Sequence, residues 1–182
     1  MNRNFDIVQQ LKSQIDDLGL WHRHLELKRH EFLTVKGSSD VNLYFIEKGS
    51  VRIFFEDDCE EQTIRLGYQN DFVGALDTLL SGRPSQLYIQ AIKKCQFKVI
   101  SKDSLKSLIN QKKENLQLWQ SLLEALIVQQ MEREIDILTT SPRARYNRVL
   151  RRSPRLFQEI PAKYIASYLR MTPETLSRLK KS

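Results

Sequence analysis

Residues Ile160–Ser182 read IPAKYIASYLRMTPETLSRLKKS, and two short helix patterns lie in them around a tight connector. Ile165, Ala166 and Leu169 are apolar on the first pattern, and Leu176 and Leu179 on the second, which is a helix-turn-helix signature. The second helix has a defined start. Thr172 suits the N-cap, Pro173 the first helical position, and Glu174 the positive end of the helix dipole. Its outward residues are Thr175, Ser177, Arg178, Lys180 and Lys181. A helix that opens with hydroxyl groups and continues in cations fits a DNA major groove, with its first side chains at base edges and its cations near phosphates. A solvated amphipathic helix at a chain end has the same pattern, so the flanking sequence has to decide.

Charge is the first flanking signal. The chain carries a net +7, yet Arg143 to Ser182 holds eleven Lys and Arg against only Glu159 and Glu174, which leaves residues 1–142 slightly acidic. A basic tail on a near-neutral body points to a polyanion partner. A membrane surface would attract the same charge, but the tail lacks a broad apolar face with Trp or Phe to insert. No apolar run reaches the roughly 18 residues of a membrane span, and the first twenty residues lack a signal-peptide core, so a cytoplasmic location is expected.

Ahead of the tail, Ser141 and Pro142 break a long helix that spans about residues 114–138. Leu116, Trp119, Leu123, Ile127, Met131, Ile135 and Leu138 recur on it every three or four residues. Such a seam can cover its own subunit or pair with a twin; Trp119, Leu123, Ile127, Met131 and Ile135 are the candidate dimer contacts. From Glu31 to Ile100 the period is that of strands: FLTV, NLYFIEKGSVRIFFE, QTIRLG, DFVGAL, LYIQAI and CQFKVI, separated by Gly, Asp, Asn and Ser. Many short strands with regular turns indicate a jelly-roll-like sheet. Phe5 to Leu20 and Asp103 to Asn110 are further helix patterns. The fold class is therefore α+β: a β-roll (double-stranded β-helix) with flanking helices, a long dimerisation helix, and a small C-terminal helix-turn-helix domain. Domains of 1–138 and 139–182 follow.

Catalytic chemistry lacks residues. A metal-holding jelly roll needs two or three histidines and a carboxylate on strands, and His22, His24 and His30 all precede the first evident strand, as surface or linker residues. Cys59 and Cys95 have neither CxxC spacing nor a neighbouring histidine, so a zinc site, an iron-sulfur cluster and a disulfide framework all lack ligands. The expectation is a non-enzyme without a metal.

Taken in order, a β-roll, a long helix and a C-terminal helix-turn-helix resemble the Crp/Fnr family of transcription regulators. Gly37, Leu43 to Val51, Gly67 to Gly74 and Ile160 to Lys181 carry the resemblance. It implies a homodimer joined along the long helix, an N-terminal effector domain, and recognition helices that enter successive major grooves of a palindromic site. Double-stranded DNA, a second copy of the chain and RNA polymerase are the implied partners.

The effector segment departs from that pattern. Cyclic-AMP-binding members supply a glutamate for the ribose after Phe-x-Gly, and an arginine with a hydroxyl partner for the cyclic phosphate. Here Ala75 stands at the glutamate position and Ser85-Gln86 at the arginine pair. Without a cationic fork a buried phosphate loses its charge-assisted bonds, so tight cyclic AMP binding is not expected. The site would be formed by Gly74, Ala75, Leu76, Ser85 and Gln86, with Gln130 from the long helix. Arg83 either reaches inward or lies exposed in its loop. Leu76, Leu79, Leu80 and Leu87 either line a pocket for an unidentified small-molecule effector or fill it as core.

The DNA-binding end departs as well. Pro173 has no donor where arginine is usual, while Glu174 and Arg178 match base-contacting positions and suit cytosine and guanine. Arg170 replaces a common glycine where a left-handed backbone is often needed, which opens the way to a looser turn. The sequence stops after this helix without the β-hairpin wing of many members. Phosphate anchoring then falls to Arg143, Arg145, Arg148, Arg151, Arg152, Lys163, Lys180 and Lys181. The alternative is a ligand-sensing or protein-interaction module that keeps the roll and the long helix and no longer reads DNA.

Overall fold

The computed structural model describes residues 3–58 and 60–181; Cys59 and Ser182 lie outside the described residues. Helix α1 (Arg3–Asp17) leads into eight strands. These are β1 (Arg23–Leu27), β2 (Phe32–Thr34), β3 (Leu43–Lys48), β4 (Ser50–Asp57), β5 (Glu60–Tyr68), β6 (Phe72–Val73), β7 (Tyr88–Ala91) and β8 (Cys95–Ile100), with the short helix α2 (Leu76–Ser81) between β6 and β7. Two antiparallel sheets face each other, in the orders β1-β8-β3-β6 and β2-β7-β4-β5. Val51 and Ile53 of β4 and Phe97 and Val99 of β8 fill the space between them. Burial of these β-branched and aromatic residues drives the closure of the roll.

Two segments differ from the sequence reading. DFVGAL is not one strand: pairing covers only Phe72–Val73, and the chain turns at Gly74 into α2. A Cβ at Gly74 would come within 2.8 Å of the Asn42 carbonyl, so the turn is too close for any side chain. The first strand is also earlier than expected. Residues 23–27, RHLEL, pair with β8 at the edge of the sheet, where alternate polar residues face water and the leucines are only half-buried. His24 is thus an exposed strand residue, not a linker residue.

After β8 come α3 (Lys102–Gln111) and α4 (Lys113–Leu138), the latter about 39 Å long at 1.5 Å per residue. Asn115, buried at the start of α4, donates from Nδ2 to the Leu108 carbonyl at 2.8 Å and so fixes the corner between the two helices. The inner face of α4 packs with α1 and α3 around Leu11, Ile15, Leu105 and Leu122. Residues 139–141 link α4 to α5 (Pro142–Arg152), where Ser141 accepts from the Ala144 N–H at 3.3 Å and Pro142 takes the first helical position. The break foreseen at Ser141-Pro142 is a capped helix start.

Three more helices follow: α6 (Pro154–Glu159), α7 (Ala162–Tyr168) and α8 (Pro173–Lys181). Their apolar cluster takes in Leu66 and Ile92 of the roll. Ser167 of α7 donates to Thr63 of β5 at 3.0 Å, and the buried Arg133 of α4 lies 4.0 Å from the Tyr168 ring while donating to the Thr63 carbonyl at 3.1 Å. Tyr164 covers the Arg52 guanidinium on the outer face of β4. With the Phe32 and Tyr88 rings packed on Phe54, that cover adds to a run of five successive buried residues in β4.

Candidate nucleic-acid surface and effector cavity

The connector between α7 and α8 is tight. Arg170 has φ 51°, in the left-handed region, and the Arg170 and Met171 N–H groups donate to the Ser167 and Ala166 carbonyls at 3.0 Å each. The end of α7 is therefore closed as a glycine would close it. An arginine there costs about 1 kcal/mol relative to glycine. The turn is not looser than the glycine form; the Arg170 carbonyl is held by Arg145 Nη2 at 3.3 Å. Thr172 accepts from the Thr175 N–H at 3.2 Å, the N-cap bond read from the sequence.

Ile165, Ala166, Leu169 and Leu176 are fully buried, which fixes how α8 is rolled. Thr172, Pro173, Glu174, Ser177, Arg178, Lys180 and Lys181 are exposed and Thr175 is half-buried. Glu174 is held below the usual carboxylate range, first by the backbone N–H at its own position and then by Thr172. Lys163 and Arg143 are exposed as well.

Three arginines counted as phosphate anchors have other work. Arg145 donates from Nη1 to the Thr139 carbonyl at 3.0 Å besides its bond to Arg170. Arg148 reaches Glu132 at 2.9 Å and Asp136 at 3.0 Å, and Arg152 reaches Glu132 at 3.2 Å and a second oxygen of Asp136. The Asp136 side chain is wholly buried. Carboxylates one turn apart on α4 thus face arginines one turn apart on α5, and part of the tail's positive charge is cancelled within the fold. The readable signal was that matched spacing of four.

Residues 74–87 fold back on one of their own carboxylates. Ser85 is fully buried, and its hydroxyl donates to the Asp77 carboxylate at 2.9 Å, while the Gln86 N–H donates to the same carboxylate at 2.9 Å. An internal carboxylate therefore occupies the donors at the two positions where the resemblance puts the phosphate partners. Arg83 is exposed and does not reach inward. Leu79 is buried, Leu80 is 62% exposed, and Leu87 packs on the roll's core. Gln130 and its neighbour Gln129 are both exposed, and of the two only Gln129 borders a cavity.

A partly open cavity lies elsewhere. A cavity of about 240 Å³ sits between α1, α4, the end of β5 and the start of α6, and of the expected effector residues only Leu76 borders it. Its apolar wall includes Leu43, Phe72, Trp119, Leu122 and Leu126; its polar end is Arg65, Tyr68, Asp71 and Arg155. Asp71 accepts from the Tyr68 N–H at 3.0 Å. Burial pushes the Asp71 carboxyl up and the Arg65 guanidinium down from their usual pKa values, and burial together with Asp71 pushes the Tyr68 phenol up to about 12.

On the opposite side of α4, Ile127, Met131 and Ile135 form an open apolar stripe with Val128 and Leu138; Ile127 and Met131 are 61% and 59% exposed. Leu123 is half-buried. Trp119 turns off this stripe onto its own chain's core beside α1. Among the described residues no group of three or more His, Cys, Asp or Glu is placed to hold a metal, and no helix is long and apolar enough to cross a membrane. Cys95 is a buried free thiol, and burial pushes its pKa up to about 11.

The cyclic nucleotide-binding domain family matches residues 24–112. No curated protein matches the chain. Among solved structures, FixK2 from Bradyrhizobium japonicum is 18% identical with a TM-score of 0.74, over 87% of this chain and 82% of that one. CLP, the c-di-GMP responsive global regulator of Xanthomonas campestris, is 16% identical with a TM-score of 0.66, over 93% and 90%. The catabolite activator protein of Thermus thermophilus is 20% identical with a TM-score of 0.56, over 93% and 81%. At such identities the likeness is one of fold.

Proposed function

We propose that this chain, which carries a cyclic nucleotide-binding domain over residues 24–112, is a homodimeric, sequence-specific DNA-binding transcription regulator of Crp/Fnr type and not an enzyme. The observation that carries the reading is the pose of α8: one face is locked into the core through Leu176, and Glu174, Ser177, Arg178, Lys180 and Lys181 all stand in solvent. Glu174 and Arg178 lie one turn apart near the helix start, where a recognition helix meets base edges. Lys180, Lys181, Lys163 and Arg151 are exposed cations for the phosphates. A second copy of the chain is the occupant of the α4 stripe, because a DNA reader of this kind needs two half-sites and the stripe is continuous apolar surface on one helix. A cytoplasmic location goes with this role.

Cyclic AMP is not the effector in this reading. A cyclic phosphate would have to displace the Asp77 carboxylate from Ser85 and Gln86 and would find no guanidinium there, since Arg83 is exposed. Isothermal titration is expected to show no binding at micromolar cyclic AMP; binding at that level would sink this part of the reading.

One observation favours the interaction-module alternative: α7 is tied to β5 and α4, and Arg145, Arg148 and Arg152 are committed within the fold. Selection from a random double-stranded DNA library separates the two. The regulator yields a palindromic consensus, whereas the module yields weak binding without sequence preference.

A further inference from the structure

The cavity at the α1–α4–α6 junction carries an unbalanced charge. Arg152 on its rim is neutralised by Asp136 and Glu132, which also balance Arg148. The Arg65 guanidinium makes no side-chain hydrogen bond or close ion pair among the described residues and feels Asp71 only at longer range, and Arg155 rests 5.2 Å over the Tyr68 ring with one long contact of 3.5 Å to the Gln69 carbonyl. Against these two guanidinium groups the polar end offers one carboxylate, Asp71. It is therefore one negative charge short of neutrality. A half-buried guanidinium whose N–H donors find no acceptor is costly, and a carboxylate is the planar acceptor that its donor fork fits.

The rest of the wall is apolar, with Trp119, Leu122 and Leu126 from α4 and Phe72 from β6. A cavity of about 150 Å³ lined in this way accepts benzene, so about 240 Å³ has room for a body of roughly ten heavy atoms. A polar end of net +1 and an apolar body of that size define an amphiphile with one anionic head.

We infer that this cavity is a binding site for a small monocarboxylate with an apolar body, such as a medium-chain or aryl-substituted acid, whose head pairs with Arg65 and Arg155. The site is separate from the Gly74–Gln86 segment, and the inference holds whether or not α8 reads DNA. Because Ser153 is the link from α5 to α6 and Arg152 and Arg155 flank it in the cavity wall, the acid would bridge the roll, the long helix and the C-terminal helices.

Octanoate is the probe, titrated calorimetrically into the full chain, with octanol and octylamine as controls of equal length. One octanoate per chain should bind, with each control at least about tenfold weaker. Arg65→Gln should weaken octanoate by about tenfold or more while leaving octanol unchanged. Ala125→Leu, which fills the wall of the cavity from α4, should abolish binding of both, and circular dichroism verifies that each variant is folded. No octanoate binding at millimolar concentration, equal binding of octanol, or undiminished binding by either folded variant overturns the inference.

Discussion

Asp136→Ala should uncouple α5 from α4. The wild-type carboxylate is wholly buried and contacts two guanidinium groups, Arg148 at 3.0 Å and Arg152 through its other oxygen. Removing one partner of a buried pair costs about 3–5 kcal/mol, chiefly because the remaining charge is left without compensation. The two arginine side chains are 32% and 28% exposed and keep Glu132 as a partner, so water and Glu132 recover part of the loss. That places the cost at about 3 kcal/mol, the low end of the range. For a chain of this size the melting temperature should fall by about 6–12 °C. Urea denaturation followed by circular dichroism should show a lower midpoint at unchanged slope. Adding Arg152→Met should return part of the loss, because one of the two stranded cations is then gone. A loss below about 1 kcal/mol, the size of an exposed ion pair, would refute the claim that this network ties the C-terminal helices down.

Other expectations follow from separate contacts. Asp16 joins α1 to β8 and Trp21; burial works to raise its pKa, but bonds from Lys12, Trp21 and Lys98 hold it at about 2. A carboxylate depressed on folding stabilises above its unfolded pKa of 3.8, and the gain is lost as pH falls towards 2. Asp16→Asn should therefore cost about 1 kcal/mol at pH 7, after allowance for solvent screening, and the gap from wild type should narrow between pH 4 and pH 2 in a urea series. Arg133→Met should fall within about 1 kcal/mol of wild type, because buried Arg133 leaves Nε and Nη1 without partners and an apolar chain of similar length avoids that penalty; a loss of about 3 kcal/mol in the same assay would show the Thr63 and Tyr168 contacts to matter more than the stranded nitrogens. Ile127→Glu with Met131→Glu should convert a dimer into a folded monomer by light scattering after gel filtration; a dimer that survives both charges would place the interface elsewhere.

What could be read from the sequence was local. The Thr172 cap, Pro173 at the helix start and the Ser141-Pro142 break all depend on a few adjacent residues, and the structure has each of them. What escaped depends on residues far apart or on edges. The strand at residues 23–27 was hidden because its polar alternation is that of an exposed edge. Asp77 closes the loop over Ser85 and Gln86 through a fold-back that no periodicity encodes. Docking of α7 on β5 joins Ser167 to Thr63 across 104 positions. Counting charge alone overstated the tail's free cations, since Arg148 and Arg152 meet carboxylates from α4.

The most direct measurement is fluorescence anisotropy of the full chain on its selected palindrome, on variants of that site and on scrambled DNA, at several salt concentrations, with Arg178→Ala alongside. If α8 reads bases, the wild type discriminates the palindrome from scrambled DNA. Arg178→Ala then loses about 1–3 kcal/mol on the palindrome and relaxes preference at one base pair per half-site, with nearly unchanged binding to scrambled DNA. Equal affinity for palindrome and scrambled DNA, or an Arg178→Ala protein that discriminates as well as wild type, would contradict the assignment of α8 as a recognition helix.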